Sequence, residues 1–277
     1  MKRVWGHVLA GISLAGGAVI FSPGCVHDDS TLFIQGVFAP ETSSSEPAVC
    51  TYTPDPTEPM ISSGALDIAL RGTYDAIFLI GNQMVSEVNG SQLMTETSIV
   101  KVEGAIVRIL SGTQQLGDYT RLAAGFVYPL SGSTPGYDVF GPVTIVDENT
   151  LYNVPADATN GTPIATYLSG FGSNAVVRVV SYIRVFGHSL GGDYVESSEL
   201  EFPVDICDGC LVSYTNNPLY PLPNCVGLPG TASASTPAIP CLFGEDLTVD
   251  CSLCQGTAVC RGAVQTIPTP VADAGTD

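Results

Sequence analysis

The sequence has few positively charged residues and few charged residues of either sign. Only 9 of its 277 residues are lysine or arginine, against 27 acidic residues, which gives a formal charge of −18. A surface this acidic repels phosphate groups, so the composition excludes a general nucleic-acid-binding role. Apolar residues nevertheless make up 45% of the chain, and the chain is therefore able to bury a core of ordinary size.

The N-terminus lacks an apolar run long enough to span a bilayer, which needs about 20 residues. Residues 8–21 form an uncharged run of fourteen, and the basic residues Lys2 and Arg3 precede it. This length and this charge pattern are typical of a secretory signal peptide. We therefore predict that residues 1–24 are a signal peptide, with an uncleaved N-terminal anchor as the alternative.

The residues that follow, Ser22-Pro23-Gly24-Cys25, resemble the lipobox of bacterial lipoproteins, in which a small residue precedes the cysteine that receives the lipid. Ordinary signal peptidase also accepts Ser22 and Gly24, and both routes would cut the same bond. The resemblance implies lipid attachment at Cys25 and membrane association through that anchor. Val26 stands where such proteins carry an inner-membrane retention aspartate, which implies the outer membrane.

The sequence has nine cysteines, an odd number. Because disulfides use cysteines in pairs, an odd count in an exported protein indicates that one of them has a different role. Lipid attachment at Cys25 would leave eight cysteines, enough for four disulfides in an oxidising compartment. Their pairing cannot be deduced from spacing, because eight cysteines allow 105 arrangements. The disulfide candidates are Cys50, Cys207, Cys210, Cys225, Cys241, Cys251, Cys254 and Cys260.

Composition divides the mature chain into four segments. Residues 25–63 hold a short strand and a run rich in proline, serine and threonine, which predicts a lipid-anchored tether. Residues 64–206 contain short alternating apolar runs between glycine, serine, proline and aspartate clusters, which predicts an antiparallel β-sandwich. Residues 207–262 hold seven cysteines among many prolines and predict a disulfide-rich, loop-dominated extension. Residues 263–277 are polar and predict a disordered tail.

The fold class predicted from these patterns is all-β, because no segment carries a sustained apolar stripe of helical period. Leu66, Ile68 and Leu70 alternate with other residues and predict one strand. Pro203 lies in another alternating run, and because proline cannot donate a ladder hydrogen bond, it predicts an edge strand there.

The segment Gly187-His188-Ser189-Leu190-Gly191 resembles the nucleophile elbow of lipases in the α/β-hydrolase family. In that family a helix follows the serine and a histidine base lies downstream. Here the following residues alternate like a strand, and the remaining histidines, His7 and His27, precede the motif. We therefore predict that Ser189 does no chemistry. We expect a hairpin loop in which three glycines supply positive φ angles: Gly187, Gly191 and Gly192.

Two cysteine pairs have zinc-knuckle spacing, Cys207-x-x-Cys210 and Cys251-x-x-Cys254. Four thiolates would suit tetrahedral zinc, but an oxidising compartment favours disulfides, so no metal site is predicted. Acidic residues in the segment Gly244-Glu245-Asp246 and at Asp250 offer oxygen ligands for calcium. Their spacing matches no loop that would organise six oxygens.

Glu199 and Glu201 would lie on one face of a strand, about 6.5–7 Å apart by the strand rise. This overlaps the carboxylate separation in glycoside hydrolases, but alternating glutamates are also typical of any solvated strand face. We therefore predict no catalytic residues and no cofactor. The predicted function is a structural or binding role at the bacterial surface, with a protein or glycan partner left open. The alternative is an extracytoplasmic hydrolase acting on envelope or extracellular polymers.

Overall fold

The computed structural model describes residues 31–40, 42–43, 51–86, 96–131, 134–153, 161–171, 175–213, 239–240 and 242–250. Within these ranges the chain forms fourteen strands and two short helices. In chain order the elements are β1 (Leu32–Phe38), β2 (Thr42–Ser43), β3 (Met60–Ile61), β4 (Gly64–Asp67), β5 (Tyr74–Asn82), β6 (Val100–Ser111), β7 (Gln114–Val127), β8 (Gly136–Val146), α1 (Glu148–Tyr152), α2 (Ile164–Ser169), β9 (Val176–Ser189), β10 (Tyr194–Glu196), β11 (Leu200–Cys207), β12 (Val212–Ser213), β13 (Ile239–Pro240) and β14 (Val249–Asp250).

Two sheets form the body of the fold. The smaller sheet has the strand order β3-β1-β5-β8, and the larger has the order β4-β11-β9-β6-β7 with β10 paired to β9. Every neighbouring pair in these two sheets is antiparallel except β4 and β11, which are parallel. The predicted all-β sandwich is therefore confirmed, with one parallel pair that the sequence pattern did not indicate.

A single apolar core lies between the two sheets. Phe78 and Phe140 of the smaller sheet and Val107, Ile183 and Phe202 of the larger sheet belong to it, and each is at most 1% exposed. Strand β9 of the larger sheet alternates between buried and more exposed residues, because successive side chains of a strand point to opposite faces. Strand β5 of the smaller sheet is instead buried on both faces from Phe78 to Asn82.

The proline-rich run predicted to be a tether lies between two strands that pair with each other. It begins after β1, whose Val37 and Phe38 oppose Ile61 and Met60 of β3. Both ends of the run are therefore held in the smaller sheet. Because β1 precedes it, the run does not separate the sandwich from the N-terminal segment that contains Cys25.

Two strand predictions need correction. The strand that starts at Gly64 ends at Asp67, because the Asp67 carboxylate accepts the Ala69 N–H at 3.0 Å and the chain turns there. The strand of Pro203 lies inside the sheet rather than at its edge. Pairing with β4 begins only at Val204, which lies opposite Gly64. The position of Pro203 therefore needs no backbone hydrogen bond to β4, and the missing N–H of proline costs nothing there.

The helix α1 was not predicted because its five residues are too few for a periodic stripe. Its capping signal is nevertheless local, since the Asp147 carboxylate accepts the Thr150 N–H at 2.9 Å, as an N-cap residue does. No helix in the described ranges is long and apolar enough to cross a membrane.

The beginning of the cysteine-rich extension is described, and it contains one disulfide, between Cys207 and Cys210. One short pair, β12 with β14, joins two parts of the extension to each other, and another, β13 with β2, joins the extension to the segment after β1. The other predicted cysteine sites lie outside the described residues, and so does the lipid-attachment site. They are Cys25, Cys50, Cys225, Cys241, Cys251, Cys254 and Cys260.

Candidate functional site

The lipase-like motif forms a hairpin, as predicted. Strand β9 runs through Ser189, and β10 returns antiparallel to it with Tyr194 opposite His188. The Ser189 N–H donates to the Asp193 carbonyl at 2.8 Å, and the Gly192 N–H donates to the Ser189 carbonyl at 2.9 Å. No helix follows the serine at this turn, so the strand–turn–helix context of a nucleophile elbow is absent.

The three glycines of the motif differ in their roles. Only Gly192 among them has a positive φ, of 95°, so the prediction of positive φ is wrong for Gly187 and Gly191. Gly187 lies within β9, where a Cβ atom would stand 2.2 Å from the Lys101 carbonyl oxygen. Glycine is required at that position by the close approach of β6 rather than by the turn.

Ser189 has a structural role in this hairpin. The residue is only 7% exposed, and its hydroxyl accepts the Asp193 N–H at 3.1 Å. His188, the one histidine in the described part of the chain, lies on the other side of the sheet, with Nδ1 3.2 Å from Glu103. A serine without a base in reach is a poor nucleophile.

The neighbours of His188 define a candidate binding surface. Cross-strand pairing places Lys101 of β6 opposite both Phe126 of β7 and His188 of β9, and His188 opposite Tyr194 of β10. Residues opposite each other in a sheet share a face. We call these four residues the aromatic row, and we call the solvent side of the larger sheet the outer face.

The rings of the aromatic row are accessible and in mutual contact at one end. Tyr194 is 53% exposed and Phe126 is 49% exposed. The imidazole of His188 meets the Tyr194 ring edge-on, with centroids 5.5 Å apart, and Phe186 stacks on the other side of Tyr194 at 6.4 Å. These contacts hold the exposed tyrosine in a defined orientation.

Ion pairs lie along the outer face, beginning at the row itself, where Lys101 contacts Glu103 at 3.5 Å. Arg108 contacts Glu199 at 3.1 Å, and Arg178 binds Asp205 through two hydrogen bonds of 2.6 and 2.7 Å. Arg184 pairs with Glu196. Four of the seven basic residues that follow the predicted signal peptide lie on this face, namely Lys101, Arg108, Arg178 and Arg184.

Three pKa values on this face are shifted, those of Tyr194, Asp205 and Arg178, and the hydrogen bond to Asp205 raises the pKa of Arg178. Partial burial, together with a hydrogen bond to Glu196, raises the pKa of Tyr194 to about 12. The Tyr194 hydroxyl therefore stays neutral, and it donates to Glu196 at 2.7 Å. The hydrogen bond from Arg178 lowers the pKa of Asp205 because it stabilises the carboxylate.

The structure does not bring Glu199 and Glu201 together as a catalytic pair. Glu199 precedes β11 and is engaged by Arg108, with Arg184 at 3.9 Å. Glu201 is exposed and lies opposite Tyr182. The carboxyl groups whose pKa is raised by burial, which an acid catalyst would need, lie elsewhere. They are Asp67, Glu245 and Asp246.

One group of candidate metal ligands occurs within the described ranges, formed by Asp67, Cys207 and Cys210. Its atoms do not fit a metal ion, because the two sulfurs are joined in a disulfide. The Asp67 carboxylate is also occupied, since it accepts backbone N–H groups of Gly209 at 2.7 Å and Leu211 at 2.9 Å. Cys207 and Cys210 were both disulfide candidates with no predicted partner, and the structure joins them to each other.

The acidic residues that offered oxygen ligands for calcium, Glu245 and Asp246, also bind groups of the protein. Asp246 accepts the Ala65 N–H at 2.7 Å and the Tyr74 hydroxyl at 2.7 Å. Glu245 contacts Arg71 and the Asp75 N–H, both at 3.0 Å. Protein donors therefore occupy carboxylate oxygens of both residues, which leaves no open oxygen cage at this point.

The sequence analysis missed Phe126, Lys101 and His188 as members of one surface. The register that joins these residues depends on pairing between segments that are distant in the sequence, which local alternation does not reveal. The sequence matches no protein family model and no curated protein, and no solved structure matches its fold.

Proposed function

We propose that this chain is an exported, lipid-anchored protein of the bacterial cell envelope that binds a glycan through the outer face. The observation that carries the binding proposal is the aromatic row, which runs across four adjacent strands. It combines two half-exposed rings, Phe126 and Tyr194, with the cation of Lys101 between them.

A glycan fits this chemistry better than other ligand classes. Exposed rings offer flat apolar surface to the C–H faces of sugar rings, and a tyrosine hydroxyl adds a polar contact at the edge. The surrounding ion pairs offer donors and acceptors to sugar hydroxyls. A stable protein interface instead has a core depleted in charge, whereas Arg108, Arg184 and Glu199 lie in the middle of this face.

The anchoring proposal rests on residues 1–25, with their signal-peptide pattern and the cysteine at the lipobox position. Six residues separate Cys25 from Leu32, the first residue of β1. Even fully extended, they reach only about 20 Å. A lipid at Cys25 would thus hold the sandwich close to the membrane, where envelope glycans are the available ligands.

The binding proposal is tested with the lipidated protein in detergent and a panel of envelope-derived glycans. We expect binding in the wild type and a loss of roughly 2–10-fold in affinity for Tyr194→Ala and for Phe126→Ala, the range of one aromatic contact. Phe171→Ala, which removes a ring that is 64% exposed but lies outside the outer face, is the control and should bind normally.

Three outcomes would count against this proposal. Binding that neither row variant weakens would remove the aromatic row as the site, and absence of binding across the panel would remove the glycan. Hydrolysis of the glycan, seen as new reducing ends, would favour the hydrolase instead.

Anchoring is tested separately by acyl-chain labelling and by membrane fractionation. Cys25→Ser should abolish the labelling and release the protein from the membrane fraction.

A further inference from the structure

A short segment of the C-terminal extension closes one edge of the larger sheet. Residues 244–246, which we call the plug, lie along β4 on the side opposite β11. The Asp67 N–H donates to the Gly244 carbonyl at 3.0 Å, and the Asp246 N–H donates to the Ala65 carbonyl at 2.9 Å. Strand β4 would otherwise be a sheet edge, a position where unpaired backbone groups invite strand addition.

The backbone of the plug is shaped for this position. Gly244 has a φ of 86°, and a Cβ atom there would stand 2.9 Å from the Leu70 side chain. Asp246 also has a positive φ, of 55°, which is uncommon for a residue other than glycine. The tertiary contacts of its carboxylate, with the Ala65 N–H and the Tyr74 hydroxyl, hold this conformation.

The plug brings more carboxyl groups than cations to the buried site. The Glu245 side chain is fully buried, and Arg71 is its one ion-pair partner in the part of the chain that the structure describes. Arg71 also pairs with Asp75, and Asp246 adds a further carboxyl beside them. The Oε2 atom of Glu245 has no hydrogen-bond partner among the described residues. If Glu245 and Asp75 were both ionised, two buried or partly buried negative charges would share the single cation of Arg71, which is costly.

We propose that the plug is a proton-linked closure of the β4 edge, docked when Glu245 is protonated and released when Glu245 loses that proton. On docking, the carboxyl takes up one proton from solvent, and it returns that proton on release. The charged and titratable groups that face Glu245 are Arg71 on the turn after β4, Asp75 on β5 and Asp246 within the plug. Tyr74 of β5 donates a hydrogen bond to Asp246, and Tyr74 also interacts electrostatically with Tyr52.

The direction of the pKa shift agrees with this geometry. Burial raises the pKa of Glu245 to about 8, against the opposing effects of Arg71 and the Asp75 N–H, while Asp75 and Asp246 raise it further. Burial also raises the pKa of Asp246. The transition therefore falls near neutral to mildly alkaline pH, a range that an exported protein meets.

The test is hydrogen exchange of the full-length protein at pH 6 and pH 9, with rates corrected for intrinsic exchange. Above the pKa of Glu245, docking weakens tenfold for each pH unit. We therefore expect the hydrogen-exchange protection of the Asp67 and Asp246 amides to fall about tenfold between pH 6 and pH 9. Glu245→Gln should keep protection nearly equal at both, and Glu201→Gln, an exposed control, should behave like the wild type.

Equal protection at pH 6 and pH 9 in the wild type would overturn the proposal, and so would wild-type pH dependence in Glu245→Gln. A second measurement covers the case in which Glu245→Gln fails to fold. Carboxyl ¹³C NMR of the glutamate-labelled wild type should show one glutamate titrating above pH 7. If all glutamates titrate below pH 6, the proposal is wrong.

Discussion

Ser189 and His188 are adjacent in sequence, yet their side chains lie on opposite faces of the larger sheet. Ser189 is nearly buried and binds the Asp193 N–H, whereas His188 reaches Glu103 and Tyr194 on the outer face. This separation follows from the two-residue period of a strand. The same geometry that prevents a Ser–His pair places the histidine in the aromatic row.

We expect Ser189→Ala to leave any glycan binding unchanged and to cost about 1 kcal/mol in the free energy of unfolding, because one buried hydrogen bond to the Asp193 N–H is lost. Urea unfolding followed by fluorescence measures the cost, and Ser169→Ala is the exposed control. Stoichiometric labelling of Ser189 by a fluorophosphonate probe would contradict the structural role.

Gly187→Ala should destabilise the sandwich by about 2–3 kcal/mol or prevent folding, because the new Cβ atom would collide with backbone atoms of Lys101 and Val102 that cannot move without disturbing β6. Gly125→Ala is the matched control, since its Cβ would meet only Phe140 at 3.8 Å. Equal unfolding midpoints for the two variants would show that the strands have room at Gly187.

The stability of the protein should decline as pH rises from about 5 to 8. Glu245 has a raised pKa of about 8 in the folded state, against 4.5 for the unfolded reference, so between these values the folded state binds the additional proton. The free energy of unfolding therefore falls with rising pH, by at most about 1.4 kcal/mol per pH unit for one group. Below the lower value the contribution of Glu245 is fully present.

Urea unfolding at half-unit pH steps measures this slope, which Glu245→Gln should flatten. The Arg178–Asp205 pair acts in the opposite direction, because the lowered pKa of Asp205 gives stability that is lost in acid. This pair is exposed, so its effect is small. A wild type whose stability rises steadily between pH 5 and 8 would contradict the assignment to Glu245.

The Cys207–Cys210 disulfide should contribute about 2 kcal/mol, the loop-closure value for so short a ring. Urea unfolding of the variant Cys207→Ala/Cys210→Ala, compared with the wild type, measures it. Asp208 and the buried Asp67 lie beside the pair, and negative neighbours disfavour the thiolates needed for exchange.

We also expect alkylation under denaturing, non-reducing conditions to label none of the eight cysteines after Cys25. Two or more labelled thiols would refute four disulfides.

Much of the fold could be predicted because strand alternation is a local property. The short alternating runs of residues 64–206 and the short strand expected within residues 25–63 predicted strands that the structure contains, among them β1, β6, β8 and β9. The hairpin at Gly192 was also predicted from its turn chemistry. The alternation of Leu66, Ile68 and Leu70 did not predict the end of the strand at Asp67, whose carboxylate accepts the nearby Ala69 N–H and also the distant Gly209 N–H.

The sequence by itself determined the all-β class, the signal-peptide pattern that ends at Cys25 and the improbability of a Ser189 triad, because each depends on composition or on near neighbours. Only the tertiary structure decided that Phe126, Lys101 and Tyr194 share one row and that Glu245 is buried against Arg71. Strand partners and register depend on burial of the whole core. Folding thereby brings together residues as distant in the sequence as Arg71 and Glu245, which are 174 positions apart.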